Sequence, residues 1–312
     1  MGVRVTHGML ASQFLANYAR SLARLGRLQG QLATGKRVLK PSEDPVTAVM
    51  TLRGQAELRA IEQYRRNGDT LLSWVRATDA ALFEAEDLFK TLREKMVQGA
   101  SDTLGEQAMA ALAAEIAQIK EQFGAIANTS IGGRFLFAGT NTGEPPYGPD
   151  PADPTKRVFR EAAGPAVQNP GGNDAVIEAT LKPGIDLPMN VIGKTLFNTP
   201  DRNGDPFFAF LDKVVERLKG GQAVGDLLGA LDDHEDRFLR THTTLGAVEN
   251  RLEMMMRRLE GETAITEELL SRQADVDIAE TITRLNMQEN VHRAALATGA
   301  RVLLPTLVDF LR

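Results

Sequence analysis

The sequence lacks cysteine altogether and is poor in aromatic residues. None of its 312 residues is Cys, which excludes disulfides, thiolate metal sites and thiol nucleophiles. Aromatic residues make up only 5% of the chain, with one Trp. That composition predicts a helix-rich protein built largely on Ala and Leu, and it disfavours a bulky aromatic core.

Long apolar runs are also missing. No run reaches the roughly 18 apolar residues that a membrane span needs, and the first twenty residues lack the continuous apolar region of a signal peptide. We therefore expect neither a membrane span nor a cleaved signal. The net charge of −5 argues against a protein whose main partner is nucleic acid.

Proline is absent from most of the chain. Eleven of the 14 prolines lie between Pro145 and Pro206, which leaves the runs 46–144 and 207–304 free of it. Because proline is costly inside helices, long helices are expected in those runs. Caps predict where helices begin: Asp44-Pro45, Asp205-Pro206 and the capping box Thr103-x-x-Glu106. The predicted helices are 7–33, 45–98, 104–129, 206–219, 225–261 and 264–304.

The proline-rich middle predicts a small β-rich insert at 143–205, with a disordered linker as the alternative. Its β-branched and aromatic clusters favour strands. The candidate strands, one of them just before the insert, are Arg134–Ala138, Lys156–Glu161, Ala175–Leu181 and Met189–Ile192.

Apolar residues in both proline-free runs recur in alternating steps of three and four. The first series is Ile61, Tyr64, Gly68, Leu71, Val75, Thr78, Leu82, Ala85, Phe89, Leu92 and Met96. The second is Leu231, His234, Phe238, Thr241, Leu245, Val248, Leu252, Met255 and Leu259. This is the coiled-coil period. The predicted fold is mainly α: an elongated antiparallel coiled-coil rod formed by the two halves of the chain, with the β-rich insert between them.

The two ends of the chain carry opposite charge. Residues 1–40 contain seven basic residues and no acid, whereas residues 260–290 contain eight acids and two arginines. Each end also has an apolar stripe at helical spacing. The predicted interface residues are Leu15, Tyr18, Leu22, Leu25 and Leu32 at one end, and Ile278, Ile282, Leu285, Leu296 and Leu303 at the other. We expect the ends to pair with each other, or with the same ends of neighbouring copies.

Other interpretations of the basic N-terminal segment stay open. An Arg-rich, acid-free amphipathic start also describes a mitochondrial transit peptide, a membrane-surface helix or a nucleic-acid-binding segment. The acidic stripe near the other end explains the same basicity without a membrane or nucleic acid, so neither is expected as a partner. A coiled-coil binding module with a basic N-terminal helix remains the alternative of a different class.

Several segments resemble the flagellin family. Residues 32–48, LATGKRVLKPSEDPVTA, are similar to the segment after the family's first helix. Residues 275–280 (DVDIAE), 285–289 (LNMQE) and 304–311 (LPTLVDFL) are similar to its C-terminal helix, and 133–141 (GRFLFAGTN) to the hairpin that leads into the outer insert. The resemblance covers about 1–142 and 206–312.

The resemblance implies a structural role in the bacterial flagellum. Terminal helices at 1–40 and 264–312 would form an inner tube and be partly disordered when free. Residues 41–142 and 206–263 would form the helical rod, and 143–205 the insert. The implied protein is extracellular and exported through the flagellar type III apparatus without a cleaved signal.

Within the family, 41–46 (PSEDPV) departs from the stretch usual in filament subunits. This favours a junction protein that joins the hook to the filament, with a short flagellin as the alternative. The implied partners are hook-associated protein 1, flagellin, copies of the chain itself and an export chaperone.

No pattern of catalytic or metal-binding residues emerges, so neither an enzyme nor a cofactor is predicted. His234 and His242 lie eight residues apart rather than at the i, i+4 spacing of a helical metal pair. Asp201-x-Asn203-x-Asp205 is similar to the start of a calcium loop, but Pro206 occupies the position that requires glycine. We interpret this segment as a turn before a helix.

Overall fold

The computed structural model describes residues 7–101, 105–151, 153–160 and 172–303. The chain forms two compact units. The terminal unit comprises residues 1–60 and 261–312, and the central unit comprises residues 61–260. Seven helices run through the described residues, with three separate two-stranded antiparallel sheets in the middle of the chain. The mainly α fold with a small strand-containing insert is therefore confirmed.

The helices follow the proline-free runs. Their bounds are α1 His7–Thr34, α2 Pro45–Gly99, α3 Glu106–Ala127, α4 Gly193–Phe197, α5 Phe207–Lys219, α6 Leu228–Ala274 and α7 Ile278–Leu303. A 3₁₀ turn at Gly225–Leu227 precedes α6. No helix of the described residues combines the length and apolarity that crossing a membrane would require.

Local chemistry explains where the first helices begin and end. The Asp44 carboxylate accepts a hydrogen bond from the Thr47 N–H at 3.0 Å and so caps α2, while Pro45 occupies the first helical position. α1 ends at Thr34 and is followed by Gly35, whose φ of +67° is the left-handed conformation usual after a helix. The predicted cap at Asp44-Pro45 is confirmed.

Two other predicted caps differ from the structure. The N-cap of α5 is Pro206, without a side-chain bond, because the Asp205 carboxylate instead accepts from Lys213 Nζ at 2.6 Å. The loop amides of Asn203 and Asp205 donate to the Asp201 carboxylate, as a turn requires. α3 is capped at Gly105, while Thr103 of the predicted capping box lies outside the described residues.

The predicted break between helices near residues 262–263 is wrong. α6 continues to Ala274, because a single glycine, Gly261, does not end a helix that has neighbours to pack on. The break lies at 275–277 instead, where Asp277 caps α7 by accepting the Glu280 N–H at 3.0 Å.

The strands are β1 Ser130–Ile131, β2 Arg134–Phe135, β3 Tyr147–Pro149, β4 Arg157–Phe159, β5 Glu178–Lys182 and β6 Ile185–Pro188. They pair as β1–β2, β3–β4 and β5–β6. The predicted strand at Met189–Ile192 is wrong. Apart from the Met189 N–H, which donates to the Ile177 carbonyl at 2.7 Å, a side chain rather than a strand ladder holds that stretch. Asn190 bonds the backbone of Ile177 and Ala175 at 2.7 and 3.0 Å.

The two heptad series form the core of the central unit. Except for Tyr64, Thr241, Val248 and Met255, which are partly exposed, every member of both series is buried. Ion pairs between α2 and α6 join Arg93 to Asp232 and Glu235, and Arg76 to Glu249 and Glu253. These pairings make the two helices antiparallel in this unit, as the sequence predicts.

The core contradicts the expectation that it would be poor in aromatic residues. Phe89 lies 4.9 Å from Phe123 and 5.0 Å from Phe238, measured between ring centroids, and Phe123 lies 4.8 Å from Phe207. The low aromatic content is an average over the chain, whereas the phenylalanines concentrate where α2, α3, α5 and α6 meet.

Candidate assembly surface

The terminal unit is built on the contact between α1 and α7. Tyr18 stacks on His292 with ring centroids 5.0 Å apart. The Ser21 hydroxyl lies 3.3 Å from His292 Nδ1 and accepts a hydrogen bond from Gln288 Nε2 at 3.0 Å. A polar cluster thus fixes the two terminal helices in one register.

The predicted interface residues divide into two groups. Tyr18, Leu25, Leu32 and Leu285 are half-buried, whereas Leu15, Leu22, Ile278, Ile282 and Leu296 are exposed. Leu303 ends α7 and its side chain lies outside the described residues. Pairing within one chain therefore leaves half of the ten predicted positions exposed to solvent.

Sequence reasoning missed the residues that fix the register. Gly299 is buried beneath the Phe14 ring, and a Cβ added at Gly299 would lie 2.0 Å from a ring carbon. Ser21, Gln288 and His292 are polar residues on otherwise apolar faces. Such residues carry no signal until the partner helix is known, because their role depends on what lies opposite them.

A second contact joins two non-helical segments that flank these helices, one after α1 and the other between α6 and α7. The Arg37 N–H donates to the Ala274 carbonyl at 2.7 Å, and the Val276 N–H donates to the Gly35 carbonyl at 3.0 Å. Lys36 Nζ lies 2.5 Å from Asp275 Oδ1. The Lys36 ammonium, followed by the Ser271 hydroxyl, holds the pKa of the Asp275 carboxyl below its usual value. The segment after α1 is thereby clipped to the segment after α6.

The terminal unit lacks an apolar core in its described residues. Its only buried hydrophobic residue there is Ala274, and its other buried positions are Thr266, Thr281 and Gly299. Large apolar side chains are exposed along α1, α7 and the adjoining parts of α2 and α6. They are Met9, Leu15, Leu22, Val46, Val49, Met50, Leu52, Ile265, Leu269, Ile278, Ile282, Met287, Val291 and Leu296.

The central unit has the opposite balance. It is larger, yet only five large apolar side chains are exposed among its described residues: Phe83, Val97, Val176, Leu239 and Met254. Many large apolar side chains left exposed in one unit of a folded protein indicate a contact with another molecule. The terminal unit is therefore the candidate assembly surface.

The histidines of the central unit belong to polar contacts between its elements. His242 on α6 contacts two carboxylates of α2, with Nδ1 at 2.6 Å from Glu86 and Nε2 at 2.9 Å from Asp79. His234 is fully buried with its Nε2 3.5 Å from Asp201 Oδ2. Within the described residues no cluster of side chains suited to a metal ion is found.

Comparison with known proteins decides the family. A family model of the bacterial flagellin N-terminal helical region matches residues 5–142, and a model of the C-terminal helical region matches residues 228–303. Together they cover more than half of the chain. The chain belongs to the flagellin family. The matched regions contain α1–α3 and α6–α7, so the flagellin-type helices include both elements of the candidate assembly surface.

Relatives within the flagellin family include hook-associated proteins and filament subunits. Flagellar hook-associated protein 3 of Salmonella typhimurium is 30% identical over 149 residues, which are 46% of each chain. The match thus spans about half the length of that relative. A flagellin of Halalkalibacterium halodurans is 21% identical over 296 residues, 94% of each chain.

A solved structure from Vibrio parahaemolyticus, described as that of a flagellar hook-associated protein, shares the flagellin-family fold. It superimposes with a TM-score of 0.65 at 20% identity, over 75% of this chain and all of the other. This likeness shows the fold alone.

Proposed function

We propose that this chain is a structural subunit of the bacterial flagellum that joins the hook to the flagellin filament, as a hook-associated protein 3. Its partners would be hook-associated protein 1 on the hook side, flagellin on the filament side, and copies of itself. A flagellar export chaperone would keep it competent for type III export, and it would act outside the cell.

One observation carries the mechanism: the terminal unit exposes large apolar side chains without burying any in its described residues. An isolated helix pair of this kind is marginal in water, because the ordering entropy of its backbone is not offset by burial. Packing against neighbouring subunits would bury those side chains, each contributing roughly 1.5–3 kcal/mol. Assembly would therefore complete the fold of the terminal unit.

The exposed apolar side chains of the terminal unit suggest a different role for each part of the chain. Residues 1–40 and 264–312 would form the inner tube and be only partly ordered in the free chain. Residues 41–142 with 206–263 would form the rod, and residues 143–205 would be an insert that the inner tube does not need. Contacts between subunits would run head to tail in a helical array.

The junction is favoured over the filament by the level of identity. The hook-associated protein of Salmonella typhimurium is 30% identical over its matched part, compared with 21% for the Halalkalibacterium halodurans flagellin. The flagellin match extends over 94% of both chains, and this specific observation supports a short filament subunit as the second candidate.

Deletion of the gene in the source bacterium tests the proposal. A junction subunit predicts completed hooks without filaments, with flagellin released into the medium. Complementation with the full chain should restore filaments. Complementation with a chain lacking residues 1–30 should not, although circular dichroism should show that this chain still folds.

Immunogold labelling separates the two candidates. A junction protein would be labelled in a short zone at the tip of the hook, whereas a filament subunit would be labelled along the whole filament. Filaments that grow normally in the deletion strain would contradict both candidates.

A further inference from the structure

The charges at the two ends of the chain do not neutralise each other within the described residues. The basic segment 7–40 and the acidic segment 260–290 share one ion pair there, Lys36–Asp275. Other acids of the acidic segment pair along their own helix, as Glu268 does with Arg272 and Glu280 does with Arg284. Within the described residues the two segments thus contribute little to neutralising each other.

A pocket of about 570 Å³ in the terminal unit is lined by several arginines. One of them, Arg284, pairs with Glu280 of its own helix. The pocket lies against α1, the loop that follows it and α7, and four arginines line it with two carboxylates. The arginines are Arg24, Arg27, Arg37 and Arg284, and apolar side chains such as Leu28 and Met287 line it as well. The pocket is therefore both basic and partly apolar.

The two carboxylates of the pocket already accept hydrogen bonds from nearby backbone N–H groups. Asp44 caps α2, and bonds from the Thr47 N–H and hydroxyl hold the pKa of the Asp44 carboxyl below its usual value. Glu43 accepts the Leu39 N–H at 3.2 Å. The ion pairs of these acids with Arg27 and Arg37 are long, at 3.6 and 3.8 Å. The arginines thus retain donors for an incoming carboxylate, which guanidinium groups bind well.

The end of α6 carries a surface of matching chemistry. Ile265 and Leu269 are 60% and 52% exposed, and they flank the exposed acids Glu267 and Glu268. Ile265, Glu268 and Leu269 share one helix face by their spacing. Neither these acids nor these apolar residues line the pocket of their own chain. The segment 265–269 is therefore exposed towards another chain, where a second pocket would compete with Arg272, which pairs with Glu268 at 2.5 Å.

We infer that the arginine-lined pocket of one subunit receives the acidic and apolar segment 265–269 of a second copy of this chain. This inference rests on the proposed function and specifies which surfaces meet in the head-to-tail array. Each copy carries one pocket and one acidic segment, so the contact repeats from subunit to subunit. Matched charges would fix the register of that repeat.

Charge reversal in the full-length chain tests the contact. Arg24→Glu with Arg27→Glu reverses the charge at these positions of the pocket. Glu267→Lys with Glu268→Lys reverses the charge of the acidic segment. Each double variant alone should lower incorporation into purified flagella by about tenfold or more, because like charges would then face each other. Arg53→Glu with Arg59→Glu, an equal charge change on exposed α2 residues of the same unit, should incorporate normally.

Co-expression of the two reversed variants is the decisive arm. Every contact between unlike variants then joins opposite charges, so incorporation should recover most of the loss. Recovery in the mixture cannot come from repair within one chain. Normal incorporation of either variant alone, or folded and exported variants that fail to recover together, would overturn the inference.

Disulfide cross-linking gives an independent readout, because the chain has no cysteine of its own. Chains carrying Gln31→Cys, beside the pocket arginines, should cross-link to chains carrying Leu269→Cys in the same flagella. Chains carrying Ser73→Cys, an exposed control in the central unit, should not. Cross-linking no greater than this control would overturn the inference.

The experiments distinguish failure of the proposed function from failure of the pocket contact. If the deletion strain grows normal filaments, the junction role fails whatever the charge variants do. If the strain sheds flagellin and the charge variants incorporate normally, only the pocket contact fails.

Discussion

Lys36 Nζ lies 2.5 Å from Asp275 Oδ1, and so joins the residue two places after α1 to the first residue after α6. Two backbone hydrogen bonds, Arg37 to Ala274 and Val276 to Gly35, flank this pair. The two interruptions of the helical chain in the terminal unit are thus held together. We call these three contacts, Lys36–Asp275, Arg37–Ala274 and Val276–Gly35, the clip. The α1–α7 contact begins at the clip, so the clip sets where the two terminal helices start to run alongside each other.

Breaking the ion pair should loosen the clip only slightly. Lys36 and Asp275 are both partly exposed, and exposed pairs contribute about 0.2–1 kcal/mol. Lys36→Met should therefore raise amide hydrogen exchange at Arg37 and Val276 by no more than about fivefold, by the same energies. Lys40→Met, the same change at an exposed lysine nearby, should leave both amides unaffected. A much larger increase would show that the ion pair, rather than the backbone bonds, holds the clip.

The aromatic centre of the central unit should dominate its stability. Phe89 is fully buried among phenylalanine rings, whereas Phe83 on the same helix is 58% exposed. Phe89→Ala should lower the free energy of unfolding by about 3–5 kcal/mol, measured by chemical denaturation. Phe83→Ala should change it by less than about 0.5 kcal/mol. Similar losses for both variants would contradict the described core.

The two histidines of the central unit should give pH dependences of opposite sign. Burial, the largest influence, lowers the pKa of His242, but bonds to Glu86 and Asp79 outweigh it and raise the net pKa above the ordinary 6.5. Its contribution is therefore full below pH 6.5 and is lost as the pH rises through the raised value. Comparing the wild type with His242→Gln should show a stability difference that shrinks on the alkaline side.

His234 supplies the contrast. Burial, and then the neighbouring Arg237, lower its pKa to about 4. The stability that depends on neutral His234 is present above pH 6.5 and is lost as the pH falls towards 4. The difference between the wild type and His234→Gln should therefore shrink on the acid side. Parallel pH profiles for the wild type and either variant would contradict the assigned contacts.

Much of the helical fold follows from the sequence because its signals are local and repeated. Proline placement marks where long helices can run, and the heptad series from Ile61 to Met96 identifies the buried face of α2. The family assignment also follows from the sequence, because its motifs stand in order near both ends of the chain.

The sequence-based predictions are wrong or incomplete where contacts with residues far away in the sequence determine the structure. Helix α6 passes through Gly261 because its buried face continues to Ala274. The stretch after β6 is not a strand because Asn190 bonds Ile177 and Ala175 through its side chain. The stack of Tyr18 on His292 joins residues 274 positions apart, which no local pattern predicts. The role of the ten predicted interface residues in assembly stays a prediction.

Stabilisation of the terminal helices by assembly is central to the proposed mechanism. Amide hydrogen exchange, followed by mass spectrometry on the dilute full-length chain and on intact flagella, tests this directly. Residues 7–34 and 278–303 should exchange rapidly in the free chain, while 71–96 exchanges slowly, and both terminal segments should become protected in flagella. Terminal segments as protected in the dilute chain as residues 71–96 would contradict the account.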